Sequence, residues 1–369
     1  MTLHWGSLVY TTHIWERFHI TKKERNMSVL RIGILGAGRI GKVHAENITR
    51  FVKGVEIVGI ADPLIDRKTT EWANGLGIKV VTKDSMQLIN NPEIDAIMVC
   101  SSTDTHADFI MAAANAKKHV FCEKPIDLSV LKGKEAIETA KSKGVKLQLG
   151  FNRRFDHNFK RIRELTEDGS IGDVHLIKIT SRDPAPPSAA YAAVSGGIFL
   201  DMMIHDFDMA RYQAGCEVVS VDAHGAVLID PEIGKAGDVD TAIVTLVFEN
   251  GALGVIDNSR KAVYGYDQRV EVFGSKGCAI AANDQPNRVT LFGGENVSQD
   301  KPLYFFLERY KDAFVDEVAA FVEAIRTDGE VPVDGTDGLE AMVVALAAGK
   351  SLKEGRRVTI AEMKKELGL

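Results

Sequence analysis

The chain has little with which to fasten itself together covalently or through a metal. Its 369 residues contain four cysteines, Cys100, Cys122, Cys216 and Cys278, and no pair of them has metal-ligand spacing or suggests a disulfide framework. A metal is therefore not expected, and the thiols read as side chains of a protein kept in a reducing, cytoplasmic compartment. Basic charge is not in excess either: 45 Lys and Arg stand against 51 Asp and Glu, for a formal net charge of -6. That balance argues against nucleic acid or an anionic membrane as a partner. No apolar run approaches the roughly 20 residues that a membrane span needs. Residues 1–28 show no strand alternation, no helical stripe and no compact apolar segment preceded by charge. They read as an extension outside the core rather than as a targeting signal.

What remains is an ordinary globular composition, 45% hydrophobic and 26% charged, long enough for two domains. From residue 29 the pattern alternates between apolar strands and helices. Strands are expected at Arg31–Leu35, Val55–Ala61, Ile94–Cys100, His119–Cys122 and Lys146–Phe151, with helices between them. Such alternation implies a parallel, doubly wound α/β sheet over residues 29–151. Beyond Phe151 the texture changes to long strands, Val174–Arg182, Val218–Leu228, Thr241–Phe248, Leu253–Ser259 and Arg269–Phe273, with a hairpin signal at Glu249-Asn250-Gly251. Residues 152–369 thus read as a second α/β domain on a largely antiparallel open sheet.

The first strand runs into Gly36-Ala37-Gly38-Arg39-Ile40-Gly41. Gly36 permits a tight turn, Gly38 lets the backbone approach a pyrophosphate, and Gly41 lets helix and strand pack closely. The helix that follows offers free N–H groups to phosphate. Asp62, at the end of the second strand, stands where a carboxylate holds the adenosine ribose hydroxyls and repels a 2′-phosphate. The cofactor expected is NAD. Arg39 and Arg67 are cations near the phosphates and the adenine.

Two further motifs carry chemistry. Glu123-Lys124-Pro125 ends a predicted parallel strand, where ligands gather in open α/β sheets. Lys124 could there stabilise a developing oxyanion, and the Lys124–Pro125 bond is a candidate cis peptide. Asp201, His205 and Asp208 are spaced to share one helix face. An Asp beside a His would raise its pKa toward neutrality and make it a general base, although an acidic first turn with a structural histidine gives the same pattern. Asp206 falls off that face and reads as structural. Asn152, Arg153, Asp183, Tyr264 and Tyr266 are polar residues that could contact a hydroxylated substrate or lie on an ordinary surface.

These motifs, with Gly150-Phe-Asn-Arg-Arg-Phe155, resemble the glucose-fructose oxidoreductase / inositol dehydrogenase / rhizopine catabolism family from about Leu30 to the C-terminus. Ser102-Thr-Asp-Thr-His106, Thr180-Ser-Arg-Asp183, Ser195-Gly-Gly-Ile198 and Tyr264-Gly-Tyr-Asp-Gln-Arg269 look most like its inositol-oxidising members. The resemblance implies a homotetramer joined through the open sheet and NAD-dependent oxidation of myo-inositol at C2, with another inositol isomer or a sugar as the alternative. A non-enzymatic NAD sensor would lack the equivalents of Lys124 and His205. By the same resemblance Lys124, Asp201 and His205 are catalytic. Ile40, Ser101, Thr103, His106 and Glu123 join the cofactor contacts, and Asn152, Arg153, Asp183, Asp208 and Tyr264 or Tyr266 contact the polyol.

Overall fold

The computed structural model of the protein describes residues 29–369; the extension at residues 1–28 lies outside them. Strands β1 (Leu30–Leu35), β2 (Val55–Ala61), β3 (Val80–Thr82), β4 (Ala96–Val99), β5 (His119–Glu123) and β6 (Leu147–Gly150) form one sheet in the order β3-β2-β1-β4-β5-β6. Every neighbouring pair in it is parallel. The central strands are apolar and buried because helices cover both faces, so they read as unbroken hydrophobic runs. Strand order reverses between β1 and β4, which opens a crevice at their C-terminal ends. The edge strand β3 escapes sequence reading because it is only three residues long.

The second sheet takes β7 (Val174–Arg182), β8 (Val218–Ala226), β9 (Thr241–Phe248), β10 (Leu253–Ser259), β11 (Asp267–Gly274) and β12 (Cys278–Ala281). A short ribbon, β13 (Thr290–Phe292) with β14 (Val297–Gln299), stands apart, and β15 (Val358–Thr359) joins the sheet edge. The order is β12-β11-β7-β10-β9-β8-β15. The expected antiparallel meander holds except at its centre, where β7 and β10 run parallel. Gly251, in the left-handed region at φ 84°, closes the predicted turn from β9 to β10.

One face of this sheet packs on the helices Ile204–Ala214 and Gly335–Glu354. The other carries exposed side chains, and strand alternation decides which: in β9, Val244 and Leu246 are buried while Ile243 is half exposed. The helix Lys311–Thr327 does not stay with the second sheet. Its Val318, Phe321 and Val322 join the core of β1, β2 and the Arg39–Phe51 helix, and Gln148 Nε2 donates to the Glu317 carbonyl at 2.8 Å. A division at 151/152 therefore leaves one late helix inside the first core.

Burial sets the stability expectation. Phe321→Ala removes a fully buried ring from this inter-segment core and should cost about 3–5 kcal/mol in denaturant titration. Phe292→Ala, on the exposed ribbon, should stay within about 0.5 kcal/mol of wild type.

Candidate active site

The glycine loop has the shape that its sequence predicts. Gly36 sits at φ 103°, and a Cβ there would collide with the Cys100 carbonyl; one on Gly41 would collide with the Gly36 carbonyl. Gly38 has open space on the side where a Cβ would stand, and it caps the 13-residue helix Arg39–Phe51. Asp62 closes the site from β2: its carboxylate accepts from the backbone N–H of Ala37 and of Leu64, both at 2.8 Å. A tight loop, a helix N-terminus and a carboxylate fixed beside them suit a dinucleotide with a free ribose hydroxyl pair. Arg67, by contrast, is spent on an exposed pair with Glu71 at 2.7 Å.

From this loop a cleft of about 880 Å³ runs between the two sheets, lined by Arg39, Ile40, Ser101, Thr103, His106, Glu123 and Lys124 on one side. On the other side stand Asn152, Arg153, Asp183, Asp201, His205 and Tyr266. Thirteen residues picked out by sequence thus converge on one cavity. His106 is tied into the wall: its ring nitrogens face the carbonyls of Pro125 at 2.8 Å and of Ser101 at 3.1 Å. Glu123 accepts from His44 Nε2 at 2.7 Å, and Lys124 Nζ donates to the Asp201 backbone carbonyl at 2.7 Å. The Lys124–Pro125 peptide is cis. Arg153 is buried against Asp206 at 2.5 Å, which gives Asp206 the structural place read for it.

Four expectations fail. Asp201 and His205 do not share a helix: Asp201 ends the helix Gly197–Asp201, Met202 and Met203 form a turn, and the next helix starts at Ile204. The Asp201 carboxylate turns instead to Tyr191 at 2.9 Å and Arg260 at 3.2 Å, while His205 Nδ1 is buried without a partner among the described residues. The His205 pKa is accordingly not raised but pushed well below the ordinary value, first by burial and then by the Lys124 and Arg153 cations. Asp208 is not in the cleft; it anchors Arg154, at 2.6 Å, and Arg211, at 3.7 Å, between two helices. Tyr264 lies outside as well, its hydroxyl bonded to Asp267 at 2.5 Å and Arg182 at 3.2 Å.

The cleft also holds residues that no motif announced: Tyr191, Arg260, Tyr304, Phe305 and Tyr310. Arg260 follows β10 and Asp183 follows β7, and the parallel pairing of Ser259 with Arg182 sets them side by side. Asp183 is driven up to about pKa 6 by burial, with Arg260 and Arg153 pulling the other way. The fold also assembles two groups with metal-ligand atoms that sequence spacing did not reveal, His44/Glu123/Glu317 and Asp156/His157/Asp284. In the second, Arg309 already neutralises Asp156 and Asp284.

Comparison with known proteins agrees with this geometry. Residues 30–151 match the oxidoreductase family with an NAD-binding Rossmann fold, and residues 159–280 match the GFO/IDH/MocA C-terminal domain. The myo-inositol 2-dehydrogenase of Thermotoga maritima is 52% identical over 334 residues, 90% of this chain and 99% of that one. A solved structure of a probable dehydrogenase from Thermotoga maritima superposes with a TM-score of 0.88 at 52% identity, covering 90% of this chain and 100% of that one. The scyllo-inositol dehydrogenase of Lactobacillus casei, solved with NAD(H) and scyllo-inositol, gives a TM-score of 0.85 at 33% identity, with 90% and 100% covered.

Two outcomes follow from the geometry. Gly41→Ala should weaken NADH binding, read by fluorescence titration, by about tenfold or more, a loss of at least 1.4 kcal/mol. His205 should titrate in NMR well below the ordinary 6.5, and Lys124→Met should bring it back toward that value. Below about pH 6.5 the unfolded chain takes up a proton that folded His205 refuses, so this residue makes stability fall as pH drops through that range.

Proposed function

This chain belongs to the glucose-fructose oxidoreductase / inositol dehydrogenase / rhizopine catabolism family, and from that premise we propose that it is an NAD-dependent inositol 2-dehydrogenase oxidising myo-inositol to 2-keto-myo-inositol. The observation that carries this reading is near-full-length 52% identity to an enzyme of that name, with Lys124 and His205 meeting in one cleft. The scyllo isomer is the second reading, supported by the 33% identical dehydrogenase solved with it. The two substrates are epimers that differ in the orientation of the C2 hydroxyl.

The residues present fit NAD. Gly36, Gly38 and Gly41 with the following helix would hold the pyrophosphate, and Asp62 the ribose. When bound, the nicotinamide supplies hydride uptake. His205, neutral in its buried setting, takes the C2 hydroxyl proton. Lys124 holds the same oxygen and stabilises its developing charge. The cation that weakens His205 as a base thus strengthens the alcohol as an acid. Asp201 fixes Lys124 through its backbone carbonyl, with its carboxylate 4.0 Å from the ammonium. Asn152, Arg153, Asp183 and Tyr266 are left to accept or donate to the other hydroxyls.

For assembly, the open sheet face is the surface to consider. Val247, Leu253, Leu176 and Phe273 stand in one cross-strand row on it, and Leu253 and Phe273 are about half exposed. A homotetramer would cover this row. No helix of the described residues is long and apolar enough to cross a membrane, and a cytoplasmic location suits the free thiols at Cys100, Cys122, Cys216 and Cys278.

Initial rates of NAD reduction with a panel of inositols and hexoses test the reading; myo-inositol should be the best substrate, and inactivity on every inositol would reject it. His205→Ala should lower turnover ~10²–10⁴-fold with NADH affinity near wild type. NADP should serve poorly, and Asp62→Ser should narrow the gap. The acid limb of kcat/KM should lie near pH 6, where Asp183 becomes protonated, and Asp183→Asn should abolish it. A limb that persists in that variant would place the titration elsewhere.

A further inference from the structure

Arg260 is 2% exposed and borders the cleft, yet the chemistry above gives it no task. Its Nη1 donates to Asp201 Oδ2 at 3.2 Å, and its Nη2 lies 3.6 Å from Asp238 Oδ2. Nε and Nη2 have no hydrogen-bond partner among the described residues. Burying a guanidinium with two unsatisfied nitrogens is costly, so packing alone is a poor reason for an arginine here. From the opposite side comes Tyr191, on the short helix Ala189–Ala192, whose hydroxyl donates to Asp201 Oδ1 at 2.9 Å. Both oxygens of one cleft-lining carboxylate are therefore held, each by a different segment, while Lys124 holds its backbone carbonyl.

The geometry points to Arg260 and Tyr191 as a clamp on Asp201 that sets polyol recognition: the fixed carboxylate presents its remaining lone pairs to one substrate hydroxyl instead of pairing with His205. This rests on the polyol reading above. Arg260 is a positioning residue, because it acts through Asp201. A carboxylate free to rotate could meet hydroxyls of either orientation; a clamped one accepts from one direction, which is what discrimination between epimers requires. The same guanidinium reaches Asp183 electrostatically. Asp183 faces Arg260 and Arg153 as cations and Asp201 and Asp206 as anions, and Arg260 is the leading influence that draws its pKa down from where burial drives it. Removing Arg260 should therefore shift Asp183 upward, while removing the neutral phenol of Tyr191 should not.

The test uses the full chain saturated with NADH, as wild type and as Arg260→Gln, Arg260→Lys and Tyr191→Phe. Asp183 is followed by carboxyl NMR of ¹³C-labelled aspartate and assigned through Asp183→Asn. Its midpoint, about 6 in wild type, should rise by about one unit, a tenfold change in proton affinity, in Arg260→Gln. It should return toward wild type in Arg260→Lys and stay put in Tyr191→Phe. The KM for myo-inositol should rise about tenfold in Arg260→Gln and about threefold in Tyr191→Phe, with kcat changing less and NADH affinity unchanged. Tyr191→Phe removes one oxygen atom from a half-buried side chain and keeps the question answerable if Arg260→Gln folds poorly. An unmoved Asp183 midpoint in Arg260→Gln, or wild-type KM values in Tyr191→Phe, would overturn the clamp. Wild-type protein that oxidises no inositol would overturn the functional reading instead, and the NMR midpoint would then decide the electrostatic half of the clamp without any substrate.

Discussion

Arg153 leaves the end of β6 and buries its guanidinium against Asp206 at 2.5 Å, with Tyr310 and Tyr266 around it. A charge taken out of water must find its opposite or the fold does not form, and the rest of the cleft obeys the same demand. Asp206 is shared with Asn258 at 2.9 Å, Arg154 with Asp208 and Asp337, and Arg260 with Asp201 and Asp238. These pairs join the segment after β6, the second sheet and the helix Gly335–Glu354 into one wall of the cleft, and Lys124 reaches across from the other wall to the Asp201 carbonyl at 2.7 Å. Arg153, Asp201 and Arg260 belong to these pairs and also line the cleft.

The same constraint decides how His205 and Asp183 ionise. His205 has a cation on either side and no carboxylate partner, so burial and charge act in one direction and keep it neutral. Asp183 has cations and anions in nearly equal number, so burial prevails and its pKa rises to about 6. Two groups in one cleft are shifted in opposite senses from their ordinary values, and the one that titrates near neutrality is the carboxylate.

Glu317 shows what the packing of the late helix Lys311–Thr327 brings. Its carboxyl group is fully buried with no hydrogen-bond partner among the described residues, 3.9 Å from His44 Nε2, and burial with the charge of Glu123 drives its pKa well up. Of these two carboxyl groups, Glu123 is the one that lines the cleft. The helix that carries Glu317 follows the ribbon β13–β14, so residues behind Glu123-Lys124-Pro125 come from a segment nearly 200 positions later in the chain.

Much of this was legible without coordinates. Local signals with a steric or periodic cause were sufficient for the strand–glycine–helix unit, for Asp62, for the Glu249-Asn250-Gly251 turn, and for strands such as Val174–Arg182 and Leu253–Ser259. Each depends on residues close in sequence, so pattern alone determines it. What failed in the sequence reading depended on what lies across space. Spacing placed Asp201, His205 and Asp208 on one helix, but the turn at Met202–Met203 separates Asp201 from the other two, and Arg154 and Arg211 claim Asp208. Arg260 and Asp183 stand 77 residues apart in numbering and meet because β7 and β10 pair in parallel, a choice that neither strand's own alternation encodes. Periodicity fixes which face a residue takes within its own element; which charge waits opposite that face is decided by strand order, and strand order belongs to the tertiary structure.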